Sequence, residues 1–346
     1  MTGIYLLTGS YSSSHEQGIK LWEFNPVEAT CIEKTGIGGI ERPSFIAAHP
    51  NGVNFVATSE VEDGELVSYR LDLENHLITE INRQSANGAH PSHVCIDVSG
   101  KWLLSTNYSG GNVNVYPIQE DGSIGERTDS IKHEGSGANV ERQDAPHPHS
   151  VFQQPGSNDF FVSDLGADMI SVYELDRETG KLKLKKSILT TPGSGPRHLA
   201  FHPEMTVVYS LEELSSTLSV YGIGGEDFLE FVQVVELIPK QFAGTNTSAE
   251  VVVSEDGQHL YASNRGHDSI AVFAIQEKGI LKFEDYATTG GAGPRHFTLL
   301  PGKQWLAVAN EKSDSINMLK IGASGIPKEF IEPIPTNKPV CVKVVS

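Results

Sequence analysis

The amino-acid sequence predicts an all-β fold, a seven-bladed β-propeller of four-stranded antiparallel blades that forms one domain over residues 1–346. Two observations predict this fold. One motif recurs six times with a period of about 50 residues, and the two chain ends together complete a seventh copy. Propellers are rings of four to eight four-stranded sheets, so a repeat of this length matches one blade.

Each copy of the motif opens with Pro or Ser and continues as a short apolar run, a turn, a second apolar run, a polar loop and an alternating strand. The six copies cover residues 43–72, 91–119, 148–176, 196–222, 248–275 and 294–321. From Pro43 to Pro294 is 251 residues in five steps, which gives the period. Turns such as Asn51-Gly52 and Asp256-Gly257 lie between runs of β-branched and aromatic residues, a pattern typical of hairpins.

The chain ends supply complementary parts of one more unit. Residues 339–345 resemble only the start of a copy, whereas residues 4–24 resemble only its continuation. Joined, they predict a last blade that is closed by both termini and leaves no sheet edge open. A pair of unrelated β-sandwiches would also give many short strands, but it does not explain the shared register of the copies. No copy carries the GH…WD signature of WD40 propellers.

Composition excludes several function classes. Acidic residues number 44 against 26 Lys plus Arg, and the formal charge of −18 opposes binding to nucleic acid or to anionic membranes. No run approaches the roughly 18 apolar residues of a membrane span, and the first ten residues lack the pattern of a signal peptide. We therefore expect a cytoplasmic protein, a monomer or weak homodimer.

Cofactor and metal chemistry are also disfavoured by the sequence. The three cysteines lie far apart without CxxC spacing, and the histidines are scattered one per blade beside arginines, which repel cations. Phosphate-loop and dinucleotide-binding motifs are missing. We expect no cofactor and no metal. Residues 132–146, between the second and third copies, are polar and Gly-rich, which predicts a surface loop beside the axis or a disordered excursion.

Residues that differ between otherwise equivalent positions of the copies are candidates for function. The position after the opening residue begins each innermost strand and should ring one mouth of the central channel. Its occupants are Ser44, Ser92, His149, Arg197, Ala249, Arg295 and Val340. Three of these seven are large and basic. An anionic ligand would need such a locally basic pocket in a protein that is acidic overall.

A second set of equivalent positions follows the next strand of each copy. It holds Glu213 and Arg265 in neighbouring copies, and Tyr108, Leu165 and Asn310 elsewhere. We expect the functional set to converge at one end of the channel, with Glu250 close by; its members are His149, Arg197, Glu213, Arg265 and Arg295. Each also has a plainer interpretation. Arg197 and Arg295 are as compatible with salt bridges to a neighbouring blade. His149 is compatible with a backbone hydrogen bond, and Glu213, next to Glu212, with solvation.

At these residues the chain resembles the lactonase seven-bladed β-propellers, which include the propeller type of bacterial 6-phosphogluconolactonase and the fungal carboxymuconate cyclase. The segments that carry the resemblance are Gly195-Pro196-Arg197-His198, Phe201-His202-Pro203, Tyr261-Ala262-Ser263-Asn264-Arg265 and Gly293-Pro294-Arg295-His296, with Glu213. The resemblance implies that four residues are catalytic, namely His149, Arg197, Glu213 and Arg265. We further predict that Arg295, Glu250, His198 and His296 bind substrate.

The function that the resemblance implies is hydrolysis of 6-phosphogluconolactone, an anionic small molecule, in the oxidative pentose phosphate pathway. Lactone hydrolysis needs a base for water, which Glu213 or His149 can supply, and donors for the oxyanion and phosphate, which arginines supply. Two alternatives stay open at this point. A lactonising cyclase acting on carboxylated muconates would use the same residues in the reverse sense, and a propeller scaffold without activity would bind a peptide at the same mouth.

Overall fold

A computed structural model describes residues 3–225 and 228–345, which fold into seven antiparallel sheets arranged in a closed ring. The first strands of successive sheets contact one another in order, and the seventh contacts the first. The predicted seven-bladed propeller is confirmed. We number the blades 1–7 by their first strands. Helical structure in the described residues is limited to two single 3-10 turns, Glu277–Gly279 and Glu311–Ser313.

The four strands of each blade are arranged in order from the axis outward, so that the first strand is the innermost. The first strands of blades 1–7 are Pro43–Ala48, Pro91–Ile96, Pro148–Gln153, Pro196–Phe201, Thr247–Val253, Pro294–Leu299 and Pro339–Val344. The second strands are Asn54–Ser59, Trp102–Asn107, Asp159–Asp164, Val207–Glu212, His259–Arg265, Trp305–Asn310 and Ile4–Ser10. The third strands are Glu65–Asp72, Asn112–Pro117, Met169–Asp176, Thr217–Ile223, Ser269–Ile275, Ser315–Ile321 and Ile19–Asn25. The fourth strands are Leu77–Ser85, Asp129–Lys132, Lys181–Leu189, Leu229–Glu236, Leu281–Thr288, Pro327–Phe330 and Thr30–Ile37. In blade 6 the short strand Ile334–Pro335 also pairs with the third strand.

Blade 7 is assembled from both chain ends, as the sequence predicts. The C-terminal strand pairs antiparallel with the N-terminal one, in a register that sets Val342 opposite Thr8 and Lys343 opposite Leu7. Val342 and Cys341 are fully buried, so the pairing contributes apolar core as well as ladder hydrogen bonds. The ring closes through this sheet.

The predicted hairpin turns also set the packing of one blade on the next. Gly100 and Gly257 have φ of +73° and +67°, a left-handed conformation that costs glycine little. Nε2 of His49, from the preceding blade, donates to the carbonyl of Gly100 at 2.8 Å, and a Cβ on Gly100 would lie 2.5 Å from that imidazole ring. His202 packs on Gly257 in the same way. These glycines therefore permit a close approach between blades.

A β-bulge at the start of the first strand positions the candidate site. In blade 4, Pro196 pairs with Glu212 and His198 with Leu211, which leaves Arg197 as the extra residue. The same shift leaves His149 unpaired in blade 3 and Arg295 unpaired in blade 6. Because a bulge re-aims the side chain of its extra residue, these three basic groups leave the blade sheets and meet at one mouth of the channel.

Candidate active site

A cavity of about 360 Å³ opens at this mouth of the channel. The side chains that line it come from blades 1–6 and from the insert between blades 2 and 3: Glu60, Ser92, Tyr108, Arg142, His149, Glu213, Thr247, Arg265 and Arg295. Four of the five residues that the sequence comparison predicts to converge are in this lining. The fifth, Arg197, lies directly behind Glu213 and contacts the cavity through it.

Glu213 is the centre of the site because three arginines hold its carboxylate. Nη2 of Arg142 donates to Oε1 at 2.8 Å, and Nη2 of Arg265 lies 2.8 Å from Oε2. Nε of Arg197 lies 3.0 Å from Oε2, at an angle that makes the contact an ion pair rather than a hydrogen bond. Burial alone would raise the pKa of Glu213, but Arg265, Arg197 and Arg142 outweigh it and hold that pKa well below its usual range. Glu213 is therefore an anion at neutral pH.

The adjacent Glu212 faces the other way and has the opposite electrostatics. It ends the second strand of blade 4, where it accepts a hydrogen bond from the Ser194 hydroxyl at 2.9 Å. Burial raises the pKa of Glu212 to about 7. Glu213 follows in the loop, and its backbone N–H donates to the carbonyl of Gly195 at 2.8 Å. The end of the strand thus separates a carboxyl that titrates near neutral pH from one that is a fixed anion.

The arginines differ in depth. Arg197 is 3% exposed and donates to the carbonyl of Ala249 in the next blade. Burial, together with repulsion from Arg265 and Arg295, lowers the pKa of Arg197 to about 9, which still leaves it charged at neutral pH. Arg295 lies over the ring of Tyr11, with 5.1 Å between the guanidinium carbon and the ring centroid, and lies 4.0 Å from Glu311. Arg197 therefore orders the site from behind, whereas Arg295 faces the cavity.

His149 is the second candidate base. It is buried, and its Nδ1 has no hydrogen-bond partner among the described residues. Burial and the charge of Arg197 lower its pKa well below the usual value, so the imidazole is uncharged at neutral pH. His147, two residues earlier, instead stacks flat on Tyr108 with ring centroids 4.3 Å apart. The cavity therefore receives His149.

The remaining predicted substrate-binding residues form a second layer along the channel. Glu250 lies 3.1 Å from both His198 and His296, and burial lowers the pKa of each imidazole well below its usual value. His198 packs edge-on against His149 at 5.3 Å between ring centroids. The cavity lining does not include this layer, so a ligand would have to reach past His149 to contact it.

Sequence comparison missed Arg142, Glu60 and the role of the insert between blades 2 and 3. That insert lies over the mouth and carries Arg142 into the cavity. No signal pointed to Arg142, because the insert occurs in one copy only. Glu60 follows the second strand of blade 1 as Glu213 does in blade 4, so the repeat comparison contained it. In blade 6 the pairing of Asn310 with Pro294 moves the equivalent position to Glu311, which corrects the predicted alignment by one residue.

A larger cleft of about 730 Å³ lies beside the cavity. Tyr11 lies between them, since its ring contacts Arg42 of the cleft at 4.4 Å and Arg295 of the cavity at 5.1 Å. Basic and acidic side chains both line the cleft, but none of the groups that converge on Glu213 does. The smaller cavity is therefore the candidate active site.

Residues 3–225 and 228–345 contain no group of three or more His, Cys, Asp or Glu placed to hold a metal ion. Among the same residues, no helix is both long and apolar enough to cross a membrane.

Comparison with known proteins identifies the family. A sequence profile described as "Lactonase, 7-bladed beta-propeller" matches residues 5–344. The chain belongs to this lactonase family. It is 32% identical over 320 residues to a 6-phosphogluconolactonase of Bacillus subtilis, with 91% of this chain and 90% of that protein covered. A 6-phosphogluconolactonase of Formosa agariphila is 31% identical over 321 residues, with 90% of each chain covered.

A solved structure extends the comparison within the lactonase fold. The periplasmic gluconolactonase of Pseudomonas aeruginosa superposes with a TM-score of 0.93 at 28% identity, covering 100% of this chain and 99% of that one. The names of these similar proteins thus cover a phosphorylated and an unphosphorylated sugar lactone. Because one of them is periplasmic, the cytoplasmic location of this chain stays a prediction.

Proposed function

We propose that the protein hydrolyses 6-phosphogluconolactone to 6-phosphogluconate, the lactonase step of the oxidative pentose phosphate pathway. The observation that carries the proposal is the charge of the cavity. Arg142, Arg265 and Arg295 line it together with only two carboxylates, and Arg197 stands behind, in a protein whose overall charge is −18. A concave basic site of this kind attracts an anion locally although the exterior repels it.

The cavity also fits the substrate in size and donors. Its volume of about 360 Å³ lies within the range of roughly 300–1,000 Å³ common for small-ligand pockets. A phosphate monoester carries nearly two negative charges at neutral pH, and guanidinium groups bind it through paired N–H donors. Arg295 and Arg142, which both line the cavity, bind the phosphate in this proposal, and Arg265 faces the lactone carbonyl.

Hydrolysis then proceeds with Glu213 as the base. A carboxylate oxygen of Glu213 takes a proton from water while the water oxygen bonds to the lactone carbonyl carbon. Arg265 stabilises the resulting oxyanion. The bond from that carbon to the ring oxygen breaks, and the ring oxygen receives the proton from Glu213. The product is an open-chain carboxylic acid with a free hydroxyl, and it releases its acid proton to water to become the carboxylate. Sugar lactones open readily, so a base weakened by arginines suffices.

His149 is the alternative base for the same step. Its uncharged imidazole and unpartnered Nδ1 suit proton transfer near neutral pH. In either assignment Arg197 acts as a positioning residue, because it contacts Glu213 rather than the cavity.

The direct test is the hydrolysis rate of freshly generated 6-phosphogluconolactone, corrected for spontaneous opening, compared with that of unphosphorylated gluconolactone. We expect kcat/KM for the phosphorylated lactone to be higher by about 10- to 150-fold, the worth of a charge-assisted hydrogen bond or two. Arg295→Gln should lose most of that preference. Arg127→Gln, an equal charge change at an exposed site on the opposite face of the propeller, should keep it.

Three results would overturn the proposal. Equal or faster hydrolysis of gluconolactone would assign the site to neutral sugar lactones. Lactonisation of carboxymuconate without hydrolysis of either sugar lactone would assign it to a cyclase. Failure to turn over any of the three compounds would favour a binding scaffold.

A further inference from the structure

Arg142 differs from the other two arginines around Glu213 in its exposure and in its origin. Its side chain is 40% exposed, against 4% for Arg197 and 10% for Arg265. It is also the one member of the trio that comes from the insert rather than from a blade. A ligand entering the cavity therefore meets Arg142 before it meets either buried arginine.

The contacts of Arg142 are ones that a ligand can replace. Its Nη2 donates to Oε1 of Glu213 at 2.8 Å and to the hydroxyl of Tyr108 at 3.3 Å. An ion pair with one half-exposed partner is weak, because water competes for both charges. The buried contacts of Arg197 and Arg265 have no such competition, since removing a partner there leaves a charge uncompensated in the interior.

The residue after Arg142 is anchored by hydrogen bonds. The Arg142 side chain can therefore change partners without a movement of the backbone on that side. The buried side-chain amide of Gln143 donates through Nε2 to the carbonyl of Leu165 at 2.8 Å and to the carboxylate of Asp168 at 2.7 Å. By contrast, Val140 on the other side is 83% exposed. Arg142 thus sits where an anchored chain meets an exposed loop tip.

The two oxygens of Glu213 are not equivalent. Among the residues that the structure describes, Arg197 and Arg265 form their ion pairs with Oε2, whereas Arg142 forms its ion pair with Oε1. While Arg142 holds Oε1, both carboxylate oxygens are engaged by cations, and neither is well placed to accept a proton from water. Release of Arg142 would free Oε1 alone and leave the buried pairs intact.

We infer that Arg142 is the specificity-determining residue of the site: the anionic group of the substrate draws its guanidinium away from Glu213 and thereby frees Oε1 to accept the proton of the attacking water. No proton or electron is exchanged in this step; Arg142 replaces one anionic partner by another. The inference rests on the proposed function, because it requires a substrate that carries an anionic group. It couples recognition of that group to activation of the base.

The test compares Arg142→Met, Arg142→Lys and the charge-matched control Arg127→Met on phosphorylated and unphosphorylated gluconolactone. Arg142→Met is expected to lower kcat/KM for 6-phosphogluconolactone by about 10- to 150-fold, mainly through KM. For gluconolactone its kcat should rise, because Oε1 is then permanently free. Arg142→Lys should recover part of the phosphate affinity, and inorganic phosphate should inhibit the wild type and Arg127→Met more strongly than Arg142→Met.

The outcomes separate this inference from the proposed function. Wild-type preference for the phosphorylated lactone tests the function and does not depend on any Arg142 variant. If that preference exists but Arg142→Met lowers kcat/KM equally for both lactones, Arg142 is only a structural clamp on Glu213 and the inference is overturned. The same holds if Arg142→Met and Arg142→Lys both keep wild-type selectivity and phosphate inhibition.

Discussion

Replacing Glu213 by Gln removes the one negative charge shared by three arginines, of which Arg197 is buried and Arg265 mostly buried. The amide keeps the shape of the carboxylate but removes the counter-charge that Arg197 and Arg265 contact directly. Removing one partner of a buried ion pair costs about 3–5 kcal/mol. With an unfolding entropy of about 2.1 cal/mol/K per residue for a chain of 346 residues, that free energy corresponds to a Tm about 4–7 °C lower.

The same substitution should lower turnover if Glu213 is the base. General-base catalysis contributes about 10²–10⁴ in rate, so we expect kcat for 6-phosphogluconolactone to fall at least about a hundredfold. Thermal unfolding and initial-rate hydrolysis measured on one preparation separate the two effects. Glu212→Gln is the matched control, because it makes the same change at the next residue, on a buried carboxyl whose pKa is about 7 and which faces Ser194.

Three outcomes would each contradict one part of the prediction for Glu213→Gln. A Tm unchanged by Glu213→Gln would mean that the three contacts do not stabilise the fold. A lowered Tm with turnover within about fivefold of wild type would remove Glu213 from the role of base, since the expected contribution is far larger. Equal losses in Glu213→Gln and Glu212→Gln would mean that any change at this strand end disturbs the site.

Three further predictions concern the second base, the ring and the buried carboxyl. His149→Asn should lower kcat by much less than Glu213→Gln, and the reverse ranking would transfer the role of base to His149. Deleting residues 339–346 removes the buried Val340 and Val342 and one full strand ladder. At about 1.5–3 kcal/mol for each buried side chain, the lost free energy of unfolding approaches the whole stability of many domains. Calorimetry should therefore show no cooperative native transition, and a retained transition would refute ring closure as a requirement. Burial raises the pKa of Glu212 from an ordinary 4.5 to about 7, so the folded state binds more protons between these pH values and the free energy of unfolding falls as pH rises through that window. Glu212→Gln should therefore be more stable than wild type at pH 8, by up to about 3 kcal/mol, and equal to it below pH 4.5. Denaturant titration at the two pH values can check this.

A fourth prediction concerns salt. Near 1 M ionic strength the Debye length is about 3 Å, so contacts between the cavity arginines and a phosphate are screened. KM for 6-phosphogluconolactone should then rise while KM for gluconolactone stays constant. A parallel change in both would show that the arginines do not bind the phosphate.

The repeat made most of the fold and part of the site predictable from the sequence. Each copy carries the same local signals, and the bulge after the opening residue is a local feature that recurs in every blade where it delivers a basic side chain. The positions of His149, Arg197 and Arg295 were therefore visible as differences between equivalent places. Closure of blade 7 was predictable for the same reason, because each chain end matched the part of a copy that the other lacked.

Tertiary structure decided what repetition could not encode. Arg142 comes from an insert present once, so no second copy could show where it lies. The contrast between the pKa values of Glu212 and Glu213 depends on which groups surround each carboxyl. The burial of side chains near the axis depends on how the seven innermost strands pack around it, as for Arg197, Glu250, His198 and His296. A local pattern determines which face of a strand a side chain occupies, but distances between blades, and the burial and charge that set each pKa, arise only when the ring closes.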